Sequence, residues 1–185
     1  MSRETAATCA TEAVVNPRRD QLVREIEAAF RDVQRGKGLT LHEAAEFEGN
    51  DYCTAEERAR VRALDPETRW QDIPDTALEE CEDRWSFEEE GFRFHLPAYM
   101  RWHLRKPPGR DLLRGGLLYF ALSPAGGTEE EGTWEVFTLE QKRVIARFLE
   151  FMASIGGPLA QDARLTLRSY WFKFSPTARP ERTAC

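Results

Sequence analysis

The chain has 185 residues, 41% of them hydrophobic, with 5 Trp, 4 Tyr and 11 Phe, which excludes a disordered chain and suffices for one domain with a sizeable core. No apolar run approaches the roughly 18 residues of a membrane span, and the start, MSRETAATCATEAVV, lacks the basic and apolar stretches of a secretory signal. The net charge is −6, and the whole reads as a cytoplasmic protein, bacterial in style.

Residues 1–15 are Ala/Thr-rich and aperiodic, and read as a flexible N-terminal tail. Asn16-Pro17 suits an N-cap and first helical position. Leu22, Ile26, Phe30 and Val33 then recur at helical spacing, and Gly36 and Gly38 close that helix. Thr40–Glu43 is a capping box opening a second helix that ends near Gly49. Thr54–Glu57 is another, with Val61 and Leu64 pointing inward. Asp65-Pro66 starts a single turn carrying Trp70, and Asp75 caps a helix bearing Leu78 and Cys81.

In the second half, Phe92, Phe94 and Leu96 alternate with Arg93 and His95 as on a short strand. Pro97 then suits the first position of a helix carrying Tyr99, Met100, Trp102 and Leu104. Residues 117–122 are strand or helix, which periodicity does not decide. Residues 123–132 read as an exposed loop and Trp134–Phe137 as a weak edge strand. Thr138–Gln141 is a third capping box. It opens the best helix of the chain, with Val144, Ile145, Phe148, Leu149, Met152 and Ile155 on one face, stopped by Gly156-Gly157-Pro158. Leu159, Ala163, Leu167 and Tyr170 align on a last helix, and 175–185 reads as a basic flexible tail. The expected fold is mainly α with at most one small sheet, as a single compact domain over 16–174. Phe148, Leu149 and Met152 are expected to face Phe92, Phe94 or Tyr99.

Charge is segregated. Residues 41–90 hold 17 acidic and 5 basic side chains, whereas 91–125 hold 6 basic and 1 acidic. Solvated helix faces explain most of this. A dipolar surface could also steer a basic partner to the acidic half. That half repels free nucleic acid. The stretch Arg101, Arg105, Lys106, Arg110 belongs to no recognisable nucleic-acid module.

Four segments occur in order: GLTLHE (38–43), LDPETRWQDIP (64–74), GFRFHLPAYMRW (91–102) and FTLEQKRVIARFLEFM (137–152). In them the chain resembles a family of small bacterial proteins known only as a domain of unknown function. The resemblance spans roughly residues 20–172 and is most specific in the Leu-Pro-Ala-Tyr and Thr-Leu-Glu-Gln blocks. It implies a mostly helical cytoplasmic domain and brings no activity, cofactor or catalytic residue.

The chemistry must therefore be weighed residue by residue. Cys9, Cys53, Cys81 and Cys185 form no CxxC pair, so neither a zinc motif nor a redox motif is suggested, and ordinary reduced thiols are expected. The glycine pairs match no phosphate-binding loop, and no GxSxG exists. His95 and His103, with Glu88, Glu89 and Glu90 upstream, carry ligand-type atoms but at no standard metal spacing, and Pro97 should break any shared face. His42 sits in a capping box and should face solvent. Asp72 and Glu90 are the most pocket-like carboxylates, with Asp72 expected to cap a turn or pair with Arg69. Trp102, on a helix with polar neighbours, is the aromatic most suited to an exposed contact.

Two functional readings survive. The first is a non-catalytic protein-binding or regulatory module, immunity-type included, whose acidic face meets a basic protein through Glu79, Glu80, Glu82, Trp102 and Arg105. No cofactor or membrane enters it. The alternative is a metal-dependent hydrolase using His95, His103 and nearby carboxylates.

Overall fold

The structure is a computed structural model describing residues 16–46, 54–81, 87–105, 116–123, 134–157 and 159–177. Helices dominate: α1 (Pro17–Ala29), α2 (Leu41–Glu46), α3 (Ala55–Arg62), α4 (Asp75–Glu80), α5 (Glu89–Arg105), α6 (Gly116–Ala121), α7 (Leu139–Ser154) and α8 (Ala160–Ser169), with 3-10 turns at Trp70–Asp72 and Trp171–Phe174. Among the described residues there is no strand; Gln34 and Arg69 form one isolated antiparallel bridge. No described helix is long and apolar enough to cross a membrane.

The predicted caps form. Asn16 Oδ1 accepts from the N–H groups of Arg18 and Arg19, with Pro17 in the first turn. At Thr40, Thr54 and Thr138 both arms of the capping box are present. The Thr138 box does more than start α7. Gln141 Oε1 accepts from the Thr138 N–H at 3.1 Å and from Arg93 Nε at 3.3 Å, and its Nε2 donates to the Ala29 carbonyl at 3.0 Å. One buried amide thus starts α7, satisfies an open carbonyl at the end of α1, and holds α5. Thr138→Ala should cost about 1 kcal/mol, read as a lower urea midpoint with an unchanged m-value. An unchanged midpoint would show the box to be dispensable.

Several expectations need correction. Residues 92–96 are not a strand, and Pro97 does not begin a helix. α5 runs unbroken from Glu89 to Arg105 with Pro97 inside it. Its start is set upstream, where Glu88 Oε1 accepts from the Gly91 N–H at 3.0 Å. Every residue from Phe94 to Leu104 is buried. A helix enclosed on all sides has no polar stripe to reveal its period, so a chance alternation looked strand-like. Pro97 costs the Arg93 carbonyl its usual donor, a loss the enclosing core outweighs.

The weak edge strand expected at 134–137 is not extended either, and the choice left open over 117–122 falls to helix. Residues 134–137 form a turn and 116–121 a helix. α1 ends at Ala29, short of the predicted glycines, although Phe30 and Val33 are buried in the turn that follows. Leu64 is 61% exposed, because α3 stops at Arg62 and its spacing no longer governs that position. Ile155, the residue after α7, is likewise exposed. Asp75 does not cap α4; Pro74 is the N-cap position, without a side-chain bond.

α7 packs chiefly on α8, α1 and the C-terminal 3-10 turn, while α5 packs on α1, α4 and the 70–72 turn. Phe148, Leu149 and Met152 are buried as predicted, with α8 and α1 as their helix's main neighbours. Two indoles stitch the layers: Trp70 Nε1 donates to the Phe30 carbonyl and Trp171 Nε1 to the Leu122 carbonyl, both at 2.7 Å. Each satisfies a carbonyl just past a helix end. The loop after α1 is docked just as closely. A Cβ on Gly38 would lie 2.7 Å from the Gly91 backbone nitrogen, so only glycine lets the two segments approach. Beyond Phe174, Ser175 Oγ and Thr177 Oγ1 both donate to Glu150 Oε1, which ties this stretch to α7.

Candidate functional site

Among the described residues of the acidic half, α4 carries Asp75, Glu79 and Glu80. This helix buries Leu78, with Cys81 buried just past its end, and exposes Glu79 and Glu80. Beside it Arg105, at the exposed end of α5, sits 3.7 Å from Asp75. Three of the residues predicted for partner contact therefore share one region, and Glu82 lies outside the described residues. Trp102 does not belong there. It is 2% exposed, packed edge-on against Tyr99 and His103. The polar residues following it suggested a surface position, but α5 has neighbours all round.

Facing α4 is a pair that sequence reasoning missed. His42 is half-buried, not free in solvent. Asp65 Oδ2 accepts from its backbone N–H at 2.9 Å, and Asp65 Oδ1 lies 2.8 Å from Nδ1. The carboxylate accepts there, so Nδ1 carries the proton. Nε2 points toward Glu80, 3.9 Å away. The pair forms because α2 opens beside the Asp65 turn, and Asp65 supplies the first turn of α2 with an acceptor. No local pattern links positions 42 and 65. Locally, Asp65 before Pro66 signals only a turn.

Behind this pair lies a buried ionic cluster. Glu43 is 1% exposed, and its Oε2 accepts from the Thr40 N–H at 2.9 Å and from Arg62 at 2.7 Å. Arg35 donates to the Asp65 carbonyl at 3.0 Å. Burial, with Arg62 nearby, pulls the Arg35 guanidinium below its ordinary value, against the opposing pull of Asp65, Glu43 and Glu67. Breaking such a buried pair costs more than its net contribution, so these charges first hold α2, α3 and the 65–69 segment together.

The other candidates are structural. His95 donates Nδ1–H to the Gly91 carbonyl at 2.8 Å and stacks on Phe87 at 4.5 Å. His103 is buried against Trp102 and Tyr119. Pro97 does not separate the two, since they lie on one continuous helix. They are eight residues apart there, a rise of about 12 Å, too far to ligate one ion. Among the described residues no group of three His, Cys, Asp or Glu could hold a metal. Asp72 is exposed and lies 3.9 Å from Arg69, as anticipated. Glu90 is exposed and accepts from the Lys37 N–H at 3.3 Å. Arg101, from the basic stretch, is not a surface cation: it is buried 5.0 Å above Trp70 and donates to the Gln71 carbonyl at 2.8 Å. Lys106 and Arg110 lie outside the described residues.

The four sequence blocks thus converge. Gly38 meets Gly91, His42 meets Asp65, Arg101 covers Trp70, and Gln141 meets Arg93. No curated protein and no solved structure matches the chain. A family model does, over residues 18–175. The chain belongs to the family of unknown function DUF6714.

Proposed function

We propose that the chain is a non-catalytic cytoplasmic module, regulatory or immunity-type, that docks a protein with a basic surface on the acidic face of α4. The observation that carries this reading is the division of α4, with Leu78 and the following Cys81 anchored in the core while Glu79 and Glu80 face solvent. The Asp75–Arg105 pair lies beside those carboxylates. A face with an excess of one charge steers oppositely charged partners and accelerates encounter. The separation of His95 from His103 along α5 speaks against the hydrolase reading.

The test is kinetic. A partner captured from the native host is measured by stopped flow. Raising salt from about 0.05 to about 0.5 M shortens the Debye length from roughly 14 to roughly 4 Å, and association should slow several-fold while dissociation changes little. Glu79→Lys with Glu80→Lys should do the same and leave the melting temperature nearly unchanged, since such exposed charges contribute little to stability. An association rate indifferent to salt and to the reversals would overturn the reading.

A further inference from the structure

A second surface, of opposite sign, lies on the other side of the sequence. Leu139, Arg143 and Arg147 follow each other at four-residue spacing on α7 and form one stripe. Opposite them runs the stretch Lys173–Pro176, and the two walls enclose a groove of about 410 Å³. Its lining holds three cations and no carboxylate. Beside the cations the lining offers two apolar side chains, Phe174 and Leu139, the latter 55% exposed although it opens a helix.

The groove is held in shape. Arg147 is pinned at its edge by Glu25 at 2.7 Å. Lys173 Nζ lies 3.8 Å from the centre of the Tyr170 ring and 5.2 Å from that of Phe174, and Lys142 Nζ lies 5.6 Å from Phe174. Ser175 is tied to Glu150. Three cations thus stand beside apolar side chains in a chain whose net charge is −6.

We propose that this groove binds an acidic peptide segment of a partner protein, with carboxylates on Arg143 and Lys173 and one apolar side chain on Phe174 and Leu139. Arginine takes a carboxylate through paired hydrogen bonds, and an anchored apolar residue supplies the desolvated centre such contacts need. Cations on both sides of the apolar side chains suit a segment that carries carboxylates around one apolar residue. Single-stranded nucleic acid could also use cations beside an aromatic ring, but the acidic half of the chain disfavours it.

The site is independent of α4, so the two proposals can fail separately. The probe is a fluorescein-labelled peptide, Glu-Asp-Phe-Asp-Glu, followed by anisotropy at low salt with the full chain. It should bind about tenfold more tightly than Gln-Asn-Phe-Asn-Gln or Glu-Asp-Ser-Asp-Glu, and Arg143→Glu with Lys173→Glu should weaken it about tenfold or more. Arg143→Gln, a milder change, should weaken it in the same direction, and circular dichroism should show all variants folded. Glu79→Lys with Glu80→Lys should not reduce binding. Equal affinity for the acidic and amide peptides, undiminished binding by the folded double variant, or tighter binding of an oligothymidylate would each overturn the proposal.

Discussion

Phe148→Ala should lower the unfolding free energy by about 3–5 kcal/mol. The ring is 0% exposed on α7, the helix that α8, α1 and the C-terminal 3-10 turn all pack against. Truncation removes the transfer free energy of the ring and leaves a cavity in a layer with little freedom to close. Ile145 and Leu149 beside it are as deeply buried, and Gln141 fixes the helix to α1 and α5. For a chain of this size the loss corresponds to roughly 6–20 °C in melting temperature. A variant melting within about two degrees of the parent would place α7 outside the core.

Acid should destabilise the fold through His95. Burial pushes its imidazole down to about 4 from an ordinary 6.5; the Gly91 hydrogen bond and Asp65 oppose the shift, and Arg35 adds to it. The folded ring therefore stays neutral where the unfolded ring takes a proton. Between pH 6.5 and 4 the unfolded state binds more protons, so stability falls as pH falls. It is fully present above about 6.5 and largely gone from this source below about 4. Each pH unit is worth about 1.4 kcal/mol, giving a total of roughly 3 kcal/mol. The measurement is urea unfolding at several pH values across this window, for the parent and for His95→Gln. The variant should lose close to one proton of pH dependence, whatever its own stability. Identical slopes would show that the imidazole is not held neutral in the core.

Much of the fold was legible where the cause is local. The Thr40, Thr54 and Thr138 capping boxes, the Asn16-Pro17 start and the glycines after α7 act within one turn of chain, and each marks a real helix boundary. α7 was legible for a second reason. It is buried on one side, so its apolar residues keep the helical period. α5 was not. It is enclosed, its period is erased, and its proline suggested a boundary that does not exist.

The candidate surfaces divide in the same way. The excess of carboxylates over 41–90 is a property of composition, and Glu79 and Glu80 do reach solvent. The basic groove joins Arg143 to Lys173, thirty residues apart, and nothing near either residue announces the other.

By itself, the sequence determined the helical class, most helix starts, the apolar stripe of α7 and the segregation of charge, because each rests on interactions among residues near in the chain or on simple counts. Only the tertiary structure decided that Trp102 and Arg101 are buried, that His42 is held by Asp65, that His95 and His103 lie along one helix, and that indoles and an amide close the ends of α1 and α6. Those outcomes depend on which distant segments pack together. Burial of a polar group becomes tolerable only when a partner waits there, and such a partner can stand anywhere in the chain.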